Sequence, residues 1–287
     1  MTLIIILIAL GLDYFLGGLE PYRKFNWFIS LHYSLEKRLA HYKYWDSTLG
    51  LLGLLSIAIL GLLVVMFLLD YWSWIAETVF TLLVLIYCLA PENLDNQLDQ
   101  YITAVEKEDA SVAASLTEKL INETVINDED SNEAAIIKSA FIDAHKRTFA
   151  VIFWFLILGV AGALLYRLVN ELNDELHEIR SGFSDSTNVL LNILEWPSSR
   201  LMLIGLALGG SLVDALPDWG KSEHLSFEVN NQVLTEAGMG ALQYLPEVEV
   251  PGREKSYWIS ELKSLLNRTL IIWLAILGIM TLSGTLG

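Results

Sequence analysis

The stretch LGLLGLLSIAILGLLVVMFLL, residues 49–69, runs for 21 positions without a charged side chain. A helix of about 20 apolar residues covers the roughly 30 Å of hydrocarbon in a bilayer. The stretch therefore predicts a transmembrane helix. The whole chain supports this prediction, because 54% of its 287 residues are hydrophobic and 18% are charged, a composition too apolar for a soluble domain.

Five further segments share this apolar character: residues 2–19, 72–90, 149–166, 201–216 and 269–287. The first contains Asp13 and lacks a basic start, which favours a retained helix over a cleaved signal peptide. The fourth is short, rich in glycine and closed by Asp214. We therefore predict an all-α, polytopic integral membrane protein with four or five transmembrane helices, one short or re-entrant segment, and helical cytoplasmic loops.

Basic residues in the connections predict the orientation. Residues 20–46 carry five basic and three acidic side chains, whereas residues 168–199 carry Arg180 as their one basic residue. The loop 20–46 is thus predicted to be cytoplasmic and the N-terminus periplasmic. Several aromatic residues near the ends of the apolar runs are typical of membrane interfaces, with ordinary core packing as the alternative: Trp27, Tyr42, Tyr44, Trp45, Tyr71, Trp72 and Trp74.

The negative charge of the chain is concentrated in one connection. Residues 91–148 contain 13 acidic and five basic residues, which accounts for −8 of the net charge of −16. An acidic surface argues against nucleic acid as a partner, and membrane lipid is the partner that the apolar segments imply. The predicted division of the chain is an N-terminal membrane region 1–90, an acidic helical cytoplasmic segment 91–148, a central membrane region 149–216, a soluble helical segment 217–268 and a C-terminal transmembrane helix 269–287.

Familiar catalytic and metal-binding motifs are incomplete in this sequence. WGKS at 219–222 ends like a phosphate-binding loop, but that motif needs glycine where the chain has Ala215. His177 has acidic neighbours, yet a metal site needs three or four converging ligands. The five histidines show no pairing with a nucleophile. By motif alone, the sequence predicts neither a catalytic residue nor a metal site.

Polar residues at membrane depth are the remaining candidates. Intramembrane acids usually face a cavity or a partner, so Asp13 either lines a polar site or lies at a shallow interface. Arg167 and Asn170 are three residues apart and share a helix face. Arg167 alone would be an interfacial anchor, whereas the pair beside Tyr166 favours a polar pocket.

The segment FWFLILGVAGALLYRLVNELND, residues 153–174, resembles a segment of the CobD/CbiB family of membrane proteins, the cobinamide-phosphate synthases. Three more blocks resemble that family in the same order along the chain: GLDYFLGG at 11–18, LLNILEWPSSRL at 190–201 and NNQVLTEAGMGALQ at 230–243. The resemblance implies a single polar pocket that collects polar residues from these blocks: Asp13, Tyr166, Arg167, Asn170, Arg200 and Glu236.

The departures from the family pattern concern carboxylates. An acidic block suited to Mg²⁺ and a nucleotide is replaced by a segment containing Asp143, Lys146 and Arg147. Other family carboxylates are replaced or shifted in this chain, at Asn173, Leu191, Asn192 and Glu195. The start MTLIIILIALGLD and the basic pair before FAVIFW resemble the AmpE branch instead, inner-membrane proteins linked to β-lactamase induction.

Two functions are compatible with these resemblances. The AmpE resemblance implies a non-catalytic regulatory protein of the bacterial inner (plasma) membrane that takes part in β-lactamase induction and antibiotic response. Such a protein would sense cell-wall pathway proteins or a small ligand and would need no cofactor. The alternative is a membrane-bound amide ligase of the CobD/CbiB type that uses Mg-ATP, with Lys146 and Arg147 contacting phosphate or lipid. A transporter is disfavoured because the hydropathy shows no inverted repeat.

The sequence leaves open whether Arg167 and Asp143 lie on the same side of the membrane. If residues 149–166 cross the membrane completely, Arg167 and Asp143 lie on opposite sides. If that segment is partly re-entrant, they need not be separated, because irregular backbone is tolerated at membrane depth where it is buried in protein. The sequence does not distinguish these alternatives.

Overall fold

The computed structural model of the chain describes residues 2–15, 24–42, 44–89, 94–121, 132–216, 226–245 and 256–283. Within these ranges the regular secondary structure is helical and contains no strand, so the predicted all-α class is confirmed. The WGKS sequence at 219–222 lies outside the described residues.

The helices are α1 (Thr2–Phe15), α2 (Asn26–Leu39), α3 (Thr48–Trp72), α4 (Trp74–Cys88), α5 (Leu94–Glu106), α6 (Ala110–Leu120), α7 (Asn132–Ala144), α8 (Ala150–Leu176), α9 (Gly182–Gly209), α10 (Leu212–Ala215), α11 (Asn230–Leu242) and α12 (Tyr257–Leu282). A π-helical turn, His145–Phe149, joins α7 to α8.

Four helical stretches of the described chain are long and apolar enough to cross a membrane: Thr48–Trp72, Asn132–Leu176, Gly182–Gly209 and Tyr257–Leu282. Two shorter apolar helices, Thr2–Asp13 and Trp74–Cys88, accompany them. The chain is therefore a multi-pass membrane protein.

The bounds of two apolar segments differ from the predicted ones. The short segment expected at 201–216 comprises the end of α9, which begins at Gly182, continues through Pro197 and ends at Gly209, and the short helix α10. The first half of α9 looks too polar to span, but several of its polar side chains are buried against protein, among them Thr187 and Glu195. The last helix also begins earlier than expected, at Tyr257.

The aromatic residues separate into exposed and buried ones. Tyr71, Trp72 and Trp74 flank the turn between α3 and α4 and are 89%, 85% and 62% exposed, which excludes the core alternative for them. Trp45 is instead buried and stacks on Phe183, with ring centroids 5.6 Å apart. Large exposed aromatic rings beside an apolar helix are typical of the boundary between lipid and water.

Contacts divide the chain into two compact units, and each is built from two parts of the sequence. The first unit contains residues 1–91 and 150–195, so α9 contributes its first part here. The second contains residues 92–149 and 196–287. The five predicted segments follow the order of the chain, whereas these units join parts that are distant in sequence.

Helix α8 in the first unit is broken at Gly159. Its backbone there has φ +64° and ψ −155°, a conformation that is essentially restricted to glycine. The two arms fold back on each other beyond this point. A Cβ at Gly162 would collide with the carbonyl oxygen of Trp154 and would lie 2.6 Å from the Cβ of Leu158. In a straight helix Gly162 would be about 12 Å along the axis from Trp154, out of contact.

The break brings both arms of α8 to one place on α9. Trp154 on the first arm donates its indole N–H to the carbonyl oxygen of Leu194, at 3.0 Å. Tyr166 on the second arm donates its hydroxyl to Glu195, the next residue. Residues 149–166 therefore do not form a straight crossing, and the structure favours the partly re-entrant alternative.

The end of α8 lies beside the loop 20–46. The Tyr33 hydroxyl donates to Glu175 at 2.9 Å, and the Phe183 backbone N–H donates to Asp46 at 2.7 Å. If residues 20–46 are cytoplasmic and α3 and α4 both cross the membrane, a full crossing by residues 149–166 would place these partners on opposite sides. Under that predicted orientation, the hydrogen bonds agree with the partly re-entrant alternative.

His32 makes the first unit sensitive to acid. Its ring is buried against Trp45 and Phe183, and among the described residues its Nδ1 has no hydrogen-bond partner. Burial lowers the pKa of His32 below its ordinary value of 6.5, more than the negative charges of Glu36 and Glu175 raise it. A histidine with a lowered pKa stabilises the fold above its unfolded-state pKa, and this contribution is lost as the pH falls.

We expect the apparent melting temperature of the wild-type protein to fall more between about pH 7.5 and about pH 5 than that of His32→Phe. Phenylalanine keeps the aromatic packing and removes the titrating group. The control is His41→Phe, at an exposed position, which should keep the wild-type acid response. An identical pH response in the wild type and His32→Phe would contradict this assignment.

The second unit is a set of packed helices. Gly238 of α11 lies so close to Phe141 of α7 that a Cβ there would be 2.6 Å from the ring. Lys263 of α12 forms ion pairs with Asp95 and Asp99 of α5, at 3.2 and 2.6 Å. The helices expected after residue 100 and around residues 230–243 are confirmed as α5, α6 and α11.

Candidate functional site

Four polar side chains form a stripe on the second arm of α8, which we call the α8 stripe: Arg167, Asn170, Glu171 and Asp174. Residues three and four apart in a helix are neighbours on its surface. Two bonds connect them, both over four residues. Arg167 Nη2 lies 2.6 Å from Glu171 Oε1, and Asn170 Nδ2 donates to Asp174 Oδ2 at 3.1 Å.

Tyr166 precedes the stripe in sequence and lies in the interior of the protein. Tyr166 is fully buried, and its hydroxyl donates to Glu195 at 3.4 Å. The guanidinium of Arg167 lies over the ring of Phe25, 5.7 Å from its centroid, which is a cation–π arrangement. These contacts fix the positions of the Tyr166 and Arg167 side chains.

Two atoms of the stripe are buried without a hydrogen-bond partner among the described residues: Arg167 Nε, a donor, and Asn170 Oδ1, an acceptor. Leaving a buried polar group unpaired costs about 1–3 kcal/mol, so native structures rarely do so without a reason. At its outer end the stripe reaches the surface, because Asp174 is exposed and the Glu171 side chain is 27% exposed. The arrangement suits a ligand that enters beside Asp174 and supplies the missing partners.

The charges of this site favour a cation together with an anionic group. Glu171, Asp174 and Glu195 supply three carboxylates against the single guanidinium of Arg167. In the part of the chain that the structure describes, no three His, Cys, Asp or Glu side chains converge into a closed metal cage. The carboxylates of Glu171 and Asp174 are instead bonded to Arg167 and Asn170, respectively.

The other residues expected in the pocket belong to both units. Asp13 is half-buried on α1 in the first unit. Arg200, in the second unit, donates to Asn230 at 2.6 Å and to the backbone oxygen of Ser226 at 3.1 Å. Glu236 is exposed and accepts a hydrogen bond from Gln232. Their membership of one pocket stays a prediction.

The basic pair lies on the π-helical turn of the second unit. Arg147 is paired with Asp143 at 2.8 Å, and Lys146 is partly exposed. The neighbouring His145 is buried, and its Nε2 lies 2.8 Å from the Ser198 hydroxyl. No local pattern predicts that contact, since the partners are 53 residues apart.

Glu171 and Asp174 were not among the residues that the sequence singled out. Their signal is present in YRLVNELND, because each acid follows a polar residue of the pocket by four positions. Glu195, by contrast, gives no local signal as a partner of Tyr166, and the two meet through the packing of α9 on α8.

Comparison with known proteins places this site within a family. Residues 6–174 match the family described as CobD/Cbib protein, and they include the whole α8 stripe. This chain belongs to the CobD/CbiB family. It is 30% identical over 119 residues to a cobalamin biosynthesis protein CobD of Stutzerimonas stutzeri, covering 40% of this chain and 39% of that protein. It is also 30% identical over 118 residues to a CobD of Chromobacterium violaceum, covering 40% of this chain and 38% of the relative.

The chain thus spans about two fifths of the length of the curated CobD proteins that it matches. No solved structure matches it. The family assignment also corrects the first functional prediction. The non-catalytic regulator of β-lactamase induction is wrong, because the match is to a family whose two relatives are named for cobalamin biosynthesis.

The physical reason for that error lies in the carboxylates. Asn173 stands where the family pattern has an acid, but the next residue, Asp174, accepts a hydrogen bond from the amide of Asn170. Glu171 and Glu195 add two further carboxylates at Arg167 and Tyr166. Acidic groups are therefore present at other positions in this chain. A lack of catalysis does not follow from the missing family carboxylates.

Proposed function

We propose that this chain is a membrane-bound amide ligase of the CobD/CbiB type, which joins a carboxylic acid to an amine in cobalamin biosynthesis and uses Mg-ATP. The observation that carries this proposal is the buried core of Tyr166, Arg167 and Asn170, with two unpartnered polar atoms, inside the segment shared with the family. An acid, an amine and a nucleotide together need sites for anionic oxygens and for a cation. The α8 stripe offers groups of both kinds.

The reaction that we propose has two steps. A carboxylate oxygen of the acid attacks the γ-phosphorus of ATP, and the bond to the leaving ADP breaks, which forms an acyl phosphate. The amine nitrogen then attacks the acyl carbon, phosphate leaves, and the nitrogen loses a proton. Phosphoryl transfer of this kind depends mainly on positioning and on stabilising charge.

We assign Arg167 to the anionic oxygens of the acid or the phosphate. One face of its guanidinium lies on Phe25, and Nη2 is held by Glu171. These contacts leave the Nε–H to donate to a ligand, because no protein atom among the described residues accepts from it. Hydrogen bonds from a guanidinium to a carboxylate or phosphate are among the stronger ones in proteins.

The cellular location of this protein and its branch within the family are also proposals. We place the chain in the bacterial inner membrane with residues 20–46 in the cytoplasm, where ATP is available, and the N-terminus in the periplasm. Membership of the AmpE branch stays a prediction from the start of the chain and from Lys146 and Arg147. A contact of this basic pair with phosphate or lipid likewise stays a prediction.

The direct test is an assay of amide formation by the full chain purified in detergent. The substrates are a corrinoid with a free carboxyl group, a small primary amine, ATP and Mg²⁺. We expect ADP and amide to form in equal amounts, and only when all four are present. Release of ADP at the same rate without the acid or the amine would contradict the proposal, and so would a failure of the folded protein to form amide.

A further inference from the structure

The end of α2 and the turn that follows it carry positive charge in an acidic chain. Residues 37–45, KRLAHYKYW, contain three lysine or arginine residues and no acidic residue, whereas the net charge of the whole chain is −16. Helix α2 buries Phe28 and His32 on one side. Lys37 and Arg38, in its last turn, are exposed on the other side. Their charge therefore faces away from the protein interior.

These two cations are available for a binding partner. None of the ion pairs found in the described part of the chain involves Lys37 or Arg38. Of the acidic residues nearest in sequence, Glu36 is partly buried, and Asp46 accepts a hydrogen bond from the backbone N–H of Phe183 at 2.7 Å. An exposed pair of cations without an acidic partner attracts an anion.

The turn that follows these cations is fixed by contacts just before α3 begins. Trp45 is buried and stacks on His32 and on Phe183, with ring centroids 6.1 and 5.6 Å away. The Ser47 side chain then caps α3 by accepting a hydrogen bond from the backbone N–H of Leu49. A surface that is already held in place loses little conformational freedom when it binds a ligand.

The same turn leads directly into a helix that crosses the membrane. Helix α3 begins at Thr48, and its first apolar residue, Leu49, is exposed. A few residues earlier, Tyr42 and Tyr44 are 56% and 72% exposed. Exposed tyrosine rings and basic side chains beside a transmembrane helix are typical of the layer of lipid headgroups. A partner that fits this position is both anionic and amphiphilic.

We propose that Lys37, Arg38, Tyr42 and Tyr44, which we call the α2–α3 patch, bind the headgroup of an anionic phospholipid. The two cations bind the phosphate, since hydrogen bonds between charged groups are the stronger ones in proteins. The tyrosine rings pack against the apolar part of the lipid and leave their hydroxyls in the headgroup layer. Each lysine or arginine near an anionic membrane surface strengthens binding about fivefold. The proposal does not depend on the α8 stripe or on the ligase.

The test measures the apparent Kd of single lipids for the full chain in an uncharged detergent. The probes are phosphatidylglycerol and phosphatidylcholine with the same fluorescent tail, and fluorescence anisotropy follows their binding. The wild type should bind phosphatidylglycerol at least about tenfold more tightly than phosphatidylcholine. This preference should shrink between about 50 and about 500 mM salt, because salt screens exposed charges. Lys37→Gln combined with Arg38→Gln should raise the Kd of phosphatidylglycerol about tenfold or more and leave that of phosphatidylcholine unchanged.

The matched control is Lys107→Gln combined with Lys119→Gln. Both lysines are exposed and belong to the second unit, and their substitution removes the same amount of charge. Both Kd values should stay unchanged in this control. All four substituted residues are exposed, so both double variants should fold, and their melting temperatures without added lipid check this.

Three results would overturn the proposal. The first is equal affinity of the wild type for the two lipids. The second is an equal Kd of phosphatidylglycerol in the two double variants. The third is displacement of the labelled phosphatidylglycerol by glycerol phosphate, which lacks acyl chains and would indicate a site for soluble phosphate compounds.

Discussion

Replacing Arg167 with alanine should lower the rate of amide formation by about a hundredfold or more. The substitution removes the donor assigned to the anionic oxygens, and it leaves Glu171 without its partner at 2.6 Å. Truncating one partner of a buried, hydrogen-bonded charge pair typically costs about 2–5 kcal/mol. The measurement is kcat/KM for the acid and for ATP, on protein whose helicity and elution volume match those of the wild type.

Arg167→Lys distinguishes a binding residue from a membrane anchor. Lysine keeps the positive charge and can extend to the interface, so an anchor would tolerate it. It lacks the planar fork and the Nε–H of arginine, so a residue that orients an anionic ligand would not. We therefore expect Arg167→Lys to be inserted normally and to remain severely impaired.

The control for Arg167 is Arg268→Ala. Arg268 is 49% exposed and lies 3.7 Å from Glu261, and exposed ion pairs contribute only about 0–1 kcal/mol. Activity should stay near the wild-type level. If Arg268→Ala and Arg167→Ala reduce activity equally, or if Arg167→Lys is fully active, the role assigned to the Arg167 guanidinium is wrong.

Gly159→Ala should destabilise the protein and abolish activity, although it adds a single methyl group. A Cβ at Gly159 would meet open space, so the penalty comes from the backbone alone. At φ +64° and ψ −155° an alanine is strained by about 1–3 kcal/mol. Relief of the strain requires α8 to straighten, and a straight α8 cannot reach both Leu194 through Trp154 and Glu195 through Tyr166.

The matched substitution is Gly53→Ala in α3. Gly53 has ordinary helical geometry and equally open space around its Cβ position. Alanine is the better helix former by about 0.5–1 kcal/mol, so the apparent melting temperature should be unchanged or higher. Thermal unfolding and the amide assay are measured on both variants. Equal melting temperatures and activities would show that the break at Gly159 is not required.

Much of the fold could be predicted from the sequence because lipid imposes a simple rule. Residues 49–69 lack charge over the thickness of a bilayer, and such a segment has to be helical to satisfy its own backbone. The same rule failed for α9. The first half of that helix carries polar side chains that are buried against protein, such as Thr187, and hydropathy does not register protein as their surroundings.

The candidate site was only half predictable for a similar reason. Tyr166, Arg167 and Asn170 are visible at helical spacing in YRLVNELND, whereas Glu171 and Asp174 were not predicted, although each follows a pocket residue by four positions. That Arg200 and Glu236 join them stays a prediction, because the order of blocks along a chain does not give the distances between their side chains. Glu236 is exposed and bonded to Gln232, whereas Arg200 is bonded to Asn230.

The sequence by itself determined that this protein is helical, crosses a membrane and carries the polar residues Tyr166, Arg167 and Asn170 at helical spacing, because these properties follow from hydropathy and from spacing over one or two turns. The tertiary structure alone decided that α8 turns back at Gly159 and that Tyr166 meets Glu195. It also decided that two polar atoms of the stripe are buried without partners in the described part of the chain. Those outcomes depend on how separate helices pack, and the free energy of that packing is not contained in any local pattern of residues.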